Sequence, residues 1–160
     1  MLGVERERDA EGSRMPNALK TIDIDAPREA FYDLVVDFAR YPEFLSDVKR
    51  IQVLRQTGEV FEVRFTIQVI KEFDYVLTLT GKRPESLTWT LKESGLFKKN
   101  DGGWKLEALS PERTRATYTI DVGLSLFVPS AITNRLVQFT LPSMLEQWAK
   151  RAMSLQGGVR

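Results

Sequence analysis

Tyr75 and Tyr118 are the side chains of this sequence best placed to do chemistry. Each stands on the apolar side of a segment in which polar and apolar residues alternate, so each brings a phenol hydroxyl to an otherwise apolar wall. A hydroxyl there can orient a carbonyl or hydroxyl of a bound molecule, or it can bond only to the protein's own backbone or to water. Asn134, Gln138 and Thr140 add polar groups to the first half of a C-terminal helical pattern. The Gln138 carbonyl loses its helical partner because Pro142 has no N–H. Ionisable residues stand elsewhere. Asp23, Asp25, Asp74, Asp121, Glu62 and Arg64 fall opposite the apolar register and should mostly face solvent. No paired carboxylates and no metal-ligand spacing stand out.

The chain has no histidine and no cysteine. That excludes a Ser-His-Asp triad, a Cys-His pair, zinc–thiolate and His-based metal sites, and disulfides. No cofactor is expected. The net charge of +1 selects neither nucleic acid nor an anionic membrane as a whole-molecule partner, and no DNA binding is expected. At 160 residues, with 42% hydrophobic and 28% charged, the chain suits one globular domain. Its apolar runs fall far short of the roughly 18 residues that span a bilayer. The charged start, Met1-Leu2-Gly3-Val4-Glu5-Arg6-Glu7-Arg8, does not read as a secretory signal. A cytoplasmic location follows as an expectation, with peripheral contact at the inner membrane left open.

The elements that must position these groups follow from periodicity. Residues 1–15 are charged and read as a disordered tail, and residues 16–156 as one ligand-binding domain. Residues 18–25 alternate as a strand. Asp25 can then cap a helix of about 11 residues that carries Phe31, Leu34, Val35 and Phe38 at helical spacing. Tyr41-Pro42-Glu43-Phe44-Leu45 starts a second short helix or turn. Strands follow at 48–57, 59–71 and 73–80, then around Leu87–Leu91, Trp104–Ala108 and Ala116–Val122. Thr57-Gly58-Glu59 reads as a hairpin turn, and Asn100-Asp101-Gly102-Gly103 as a strong turn signal. Short connections make an antiparallel meander the natural topology. The C-terminal segment, from about Ser130 (a candidate N-cap) to Ser154, carries two apolar stripes and should be largely buried. Ile132, Leu136 and Phe139 form one stripe; Val137, Leu141, Met144, Leu145, Trp148 and Ala152 form the other. Pro142 should kink or break this helix just before itself.

Local wording carries a resemblance. Ala26-Pro27-Arg28-Glu29-Ala30-Phe31-Tyr32-Asp33-Leu34-Val35, followed by Tyr41-Pro42-Glu43-Phe44-Leu45, resembles the polyketide cyclase/dehydrase group of the START-like superfamily. The glycines before Trp104 and the run Ala116-Thr117-Tyr118 are similar to the same group. The likeness is nearest to coenzyme Q-binding proteins and ribosome-association toxins. It implies an α+β helix-grip fold, in which a curved antiparallel sheet of about seven strands wraps a long C-terminal helix, with two short helices after the first strand. It also implies an internal cavity; members differ in how they use it.

On that fold the cavity wall would be Phe65, Ile67, Tyr75, Leu77, Trp89, Leu91, Trp104, Leu106, Tyr118 and Ile120 from the sheet. Leu136, Phe139 and Thr140 would come from the helix. The ligand expected is a quinone, lipid or polyketide, held without catalysis. The same side chains could instead pack on the helix as plain core. A polyketide aromatase/cyclase-like enzyme and a ribosome-binding regulator are the alternatives. Leu96-Phe97-Lys98-Lys99 and Leu124–Pro129 could touch a membrane through Phe97, Lys98, Lys99 and Phe127, or be buried strand ends.

Overall fold

The computed structural model describes residues 18–158; the reading of residues 1–15 as a tail lies outside the described residues. Seven strands form one antiparallel sheet in the order β1-β7-β6-β5-β4-β3-β2. They are β1 (Ala18–Ile24), β2 (Val48–Thr57), β3 (Val60–Val69), β4 (Lys71–Lys82), β5 (Ser86–Ser94), β6 (Phe97–Ser110) and β7 (Arg113–Leu124). β2 to β7 run as a meander, and β1 joins the far edge against β7. Register breaks in β2, between β4 and β5, and in β6 curve the sheet. Two helices follow β1: α1 (Arg28–Val35) and, after a 3₁₀ turn at Phe38–Arg40, the single-turn α2 (Tyr41–Phe44). The chain ends in α3 (Ser130–Arg135), a π-helical turn (Leu136–Thr140) and α4 (Leu141–Gly158), which run on as one helix.

The alternation seen in the sequence sets which side of the sheet is dry. In β3, Phe61, Val63, Phe65, Ile67 and Val69 are all buried. In β7, Thr114, Ala116, Tyr118, Ile120 and Val122 are buried.

Several local expectations are corrected. Asp25 does not cap α1; its carboxylate takes the Arg113 guanidinium at 2.7 Å, and Pro27 stands at the N-cap. Pro129, not Ser130, occupies the N-cap of α3. α1 has eight residues rather than about eleven, because a 3₁₀ turn carries Phe38.

Asn100-Asp101-Gly102-Gly103 is not a turn but the middle of β6, paired with Val122, Asp121, Ile120 and Thr119 of β7. The glycine at 102 answers a packing need. A Cβ there would lie 2.4 Å from the Thr119 carbonyl oxygen and 2.7 Å from the Trp89 ring.

Pro142 does not break the helix. The turn before it widens, and the Leu141 N–H donates to the Leu136 carbonyl, five residues back. This also merges the two expected stripes into one. Ile132, Leu136, Thr140, Trp148 and Ala152 are buried at intervals of four or eight, with Met144 half-buried between them. At about 100° per residue, Ile132 and Trp148 would stand roughly 160° apart on an unbroken α-helix. A π turn takes up one extra residue and brings them to roughly 60°.

Hairpin turns follow local chemistry, with one exception. Gly58 takes a φ of 59° in the two-residue β2–β3 loop, as glycine readily does. Between β3 and β4 the equivalent place is held by Ile70, with a φ of 72° and 60% exposed. A β-branched residue in that region is strained, at roughly 1–3 kcal/mol. Ile70→Gly should therefore stabilise the fold by about 1 kcal/mol, seen as a Tm rise of about 2–4 °C. An unchanged or lower Tm would show that the backbone is not strained.

Candidate functional site

A chain of aromatic rings ties the sheet to the C-terminal helix. Trp148 of α4 meets Trp104 of β6 at 5.1 Å between ring centroids, Tyr41 of α2 at 5.2 Å and Phe44 at 4.9 Å, all near edge-to-face. Trp104 also packs on Phe31 of α1 and on Tyr118. Tyr118 leads on to Trp89, while Tyr41 leads to Phe65 and then, ring stacked on ring at 5.1 Å, to Tyr75. Phe97 closes the far side of Tyr75, edge-on at 5.0 Å.

Inside this ring of aromatics is a cavity of about 70 Å³. Seven residues expected at the site line it: Phe65, Tyr75, Leu77, Trp89, Trp104, Tyr118 and Ile120. Tyr41, Leu45, Val48, Asn100, Met144 and Trp148 complete the lining and were not anticipated. The signals for them were present. Tyr41 and Leu45 belong to the Tyr-Pro-Glu-Phe-Leu stretch, at the start of α2 and at its C-cap, and Met144 and Trp148 are one helical turn apart. Asn100 was hidden by the reading of its segment as a turn.

The other expected site residues lie elsewhere. Ile67, Leu106, Leu136 and Thr140 are buried beyond the cavity lining, and Leu91 is half-buried. Phe139 is a correction. It is 55% exposed, because the π turn rolls it to the outside, where Arg135 lies over its ring at 5.0 Å. Phe97, expected at a membrane surface, is 7% exposed and packs on Tyr75. Lys99 is held at 2.7 Å by Asp121. Lys98 and Phe127 are exposed, Phe127 at 93%. None of the described helices is long and apolar enough to cross a membrane.

The polar side chains in the cavity are all neutral. Tyr41 donates to the Val35 carbonyl. Among the described residues, the Tyr75 and Tyr118 hydroxyls have no hydrogen-bond partner. Asn100 is 3% exposed; its Oδ1 accepts from Trp89 Nε1 at 3.2 Å, leaving the amide N–H groups for the cavity. Burial lifts all three phenols above their ordinary range, and Tyr75 adds to the rise at Tyr118. They therefore stay protonated at neutral pH and can donate. The lining holds no carboxylate, lysine or arginine.

A larger hollow, of about 660 Å³, lies outside over β5, β6 and β7, where Gly102 and Gly103 lack side chains. It is bordered by Arg28, Lys82, Glu85, Lys105 and Glu107, and by Thr88, Thr117 and Thr119. Trp104 and Leu106 also reach it, but its rim is charged and it opens to solvent.

The sequence profile described as polyketide cyclase / dehydrase and lipid transport matches residues 24–147. Among curated proteins, the ribosome association toxin RatA of Pseudomonas aeruginosa is 25% identical over 131 residues, 82% of this chain and 91% of the toxin. That of Escherichia coli K12 is 27% identical over 138 residues, 84% of this chain and 80% of the toxin. Among solved structures, the ZhuI aromatase/cyclase from a Streptomyces species superposes with a TM-score of 0.72 at 16% identity, covering 86% of this chain and 93% of that one. A START superfamily protein from Mycobacterium smegmatis gives 0.70 at 19%, covering 85% and 96%. These structural likenesses carry the fold.

The Trp89–Asn100–Tyr118 wall depends on the gap at Gly102. Gly102→Ala should lose about 2 kcal/mol or more in urea unfolding, since the new methyl meets backbone on one side and indole on the other. A variant as stable as the parent would mean that this wall is loosely packed.

Proposed function

The chain belongs to the polyketide cyclase/dehydrase and lipid transport family, and from that premise we propose that it binds a neutral, apolar small molecule bearing a carbonyl or hydroxyl oxygen. The molecule is held between the sheet and the C-terminal helix. One observation carries the reading: hydroxyls of Tyr75 and Tyr118 and the Asn100 amide, without protein partners for their donors, face an otherwise apolar cavity. Donors that face the cavity can bond to water there, and a ligand oxygen that displaces the water can take over those bonds. Quinones, oxidised lipids and polyketides share this chemistry. Because the lining carries no base ready to take a proton at neutral pH, it favours holding the molecule over converting it.

The cavity, at about 70 Å³, has room for only a few waters, whereas small-molecule sites usually offer about 300 Å³ or more. Binding therefore opens the wall. Met144, half-buried and unbranched, is the lining side chain best suited to swing aside, and it lies on the helix rather than the sheet.

A second reading, association with a ribosome, is supported by the likeness to the ribosome association toxins. Salt-sensitive co-sedimentation with ribosomes tests it.

For the first reading, a decyl-substituted benzoquinone serves as probe. Trp89, Trp104 and Trp148 line the cavity, so bound quinone should quench tryptophan fluorescence saturably, with one molecule per chain. Tyr75→Phe and Tyr118→Phe should each weaken binding about 3- to 10-fold, the effect of one hydrogen bond, with the near-UV circular dichroism kept. A double variant that binds the quinone as tightly as the parent would remove the hydroxyls from the account.

A further inference from the structure

On the outside of the molecule, between the start of β2, the β3–β4 turn and the first half of the C-terminal helix, lies a groove of about 470 Å³. We propose that this groove binds single-stranded RNA. The proposal is argued from the groove alone and stands or falls apart from the cavity.

Three observations meet there. The first is Arg135. Most of the other described arginines take carboxylates: Arg40 with Asp37, Arg50 with Glu72, Arg83 with Asp33, Arg113 with Asp25, Arg115 with Asp23 and Arg151 with Glu43; Arg28 and Arg64 bond instead to the Leu106 carbonyl and the Gln52 amide oxygen. Among the described residues Arg135 has no carboxylate partner; its guanidinium instead covers the exposed Phe139 ring at 5.0 Å. The second is the rest of the lining. Gln68 and Asn134 offer exposed amides, and among the described residues the Lys49 ammonium bonds only to the Ser46 carbonyl, at 3.1 Å. The third is Ile70, whose left-handed backbone presents an aliphatic side chain, 60% exposed, to the same groove. Strain held at an exposed residue is better explained by what the side chain meets than by folding.

The chemistry fits one kind of partner. Arg135 and Lys49 outnumber Asp47, so the groove is cationic and suits phosphates. Phe139 and the Arg135 plane offer faces on which an unpaired base can stack. The Gln68 and Asn134 amides match base edges, and the Asp47 carboxylate can accept from a 2′-hydroxyl, which DNA lacks. An acidic peptide would satisfy the cations but leave the stacking face and amides without matching planes.

The test is fluorescence anisotropy with a labelled, unstructured RNA of roughly 12 nucleotides, a length that single-strand grooves span, and with its DNA counterpart. Binding should weaken with salt and be weaker for DNA. Phe139→Leu should weaken it about tenfold through lost stacking. Arg135→Gln should reduce the slope of log K against log salt by about 0.7. Ile70→Gly should also weaken it while the protein stays folded. Tyr75→Phe and Tyr118→Phe should leave RNA binding unchanged, which separates this site from the cavity. Phe139 and Arg135 are exposed, so unchanged thermal unfolding shows that each variant is folded. The proposal is overturned if the parent fails to bind RNA at low salt, if it prefers an acidic peptide, or if Phe139→Leu and Arg135→Gln bind as well as the parent.

Discussion

The clasp around Trp148 is the contact on which the rest depends. One indole of the last helix meets Trp104 from the sheet and Tyr41 and Phe44 from the short helix α2, and it is almost fully buried. Truncating a buried tryptophan typically costs about 3–5 kcal/mol, a large share of the stability of an ordinary domain. The same rings that anchor the helix also wall the cavity. Stability and the proposed binding thus draw on one set of side chains, and a wall that opened for a ligand would give up some of its own packing. The tyrosine and asparagine donors facing the cavity are the part of that wall that would meet a ligand oxygen under the proposed function.

The clasp works only if the helix presents the right residues over its length, and here Pro142 and the π turn act together. Without the extra residue taken up at Leu136–Thr140, Ile132 and Leu136 would turn away from the sheet that Trp148 and Ala152 face. The adjustment has an outward consequence. It carries Phe139 and Arg135 to the surface, beside Ile70 and Lys49. One backbone irregularity thereby completes the inner stripe and builds the outer groove.

Much of this was legible in the sequence, for physical reasons. Period-two alternation over 18–25 and 48–122 marked seven strands and the dry face of most of them, because a sheet with one solvated side leaves that pattern. The sheet side of the cavity was therefore readable from Phe65, Tyr75, Trp89, Trp104 and Tyr118. What was not readable came from tertiary packing. Asn100-Asp101-Gly102-Gly103 has the composition of a turn, yet Gly102 is there to admit the Trp89 indole and the β7 backbone. A helical stripe read at 3.6 residues per turn placed Phe139 inside, because a π turn leaves no mark in periodicity alone. The volume of the cavity was likewise out of reach, since aromatic side chains that could line a large pocket here fill most of it themselves.

The central claim is that this wall opens for a neutral apolar molecule with an oxygen to offer. Native mass spectrometry of the protein purified from its own organism, followed by solvent extraction, tests it most directly. The account predicts one bound molecule per chain, uncharged, apolar and bearing a carbonyl or hydroxyl. A chain that is bare as purified, and stays bare when offered the quinone in excess, would contradict it and leave the aromatic ring as core alone.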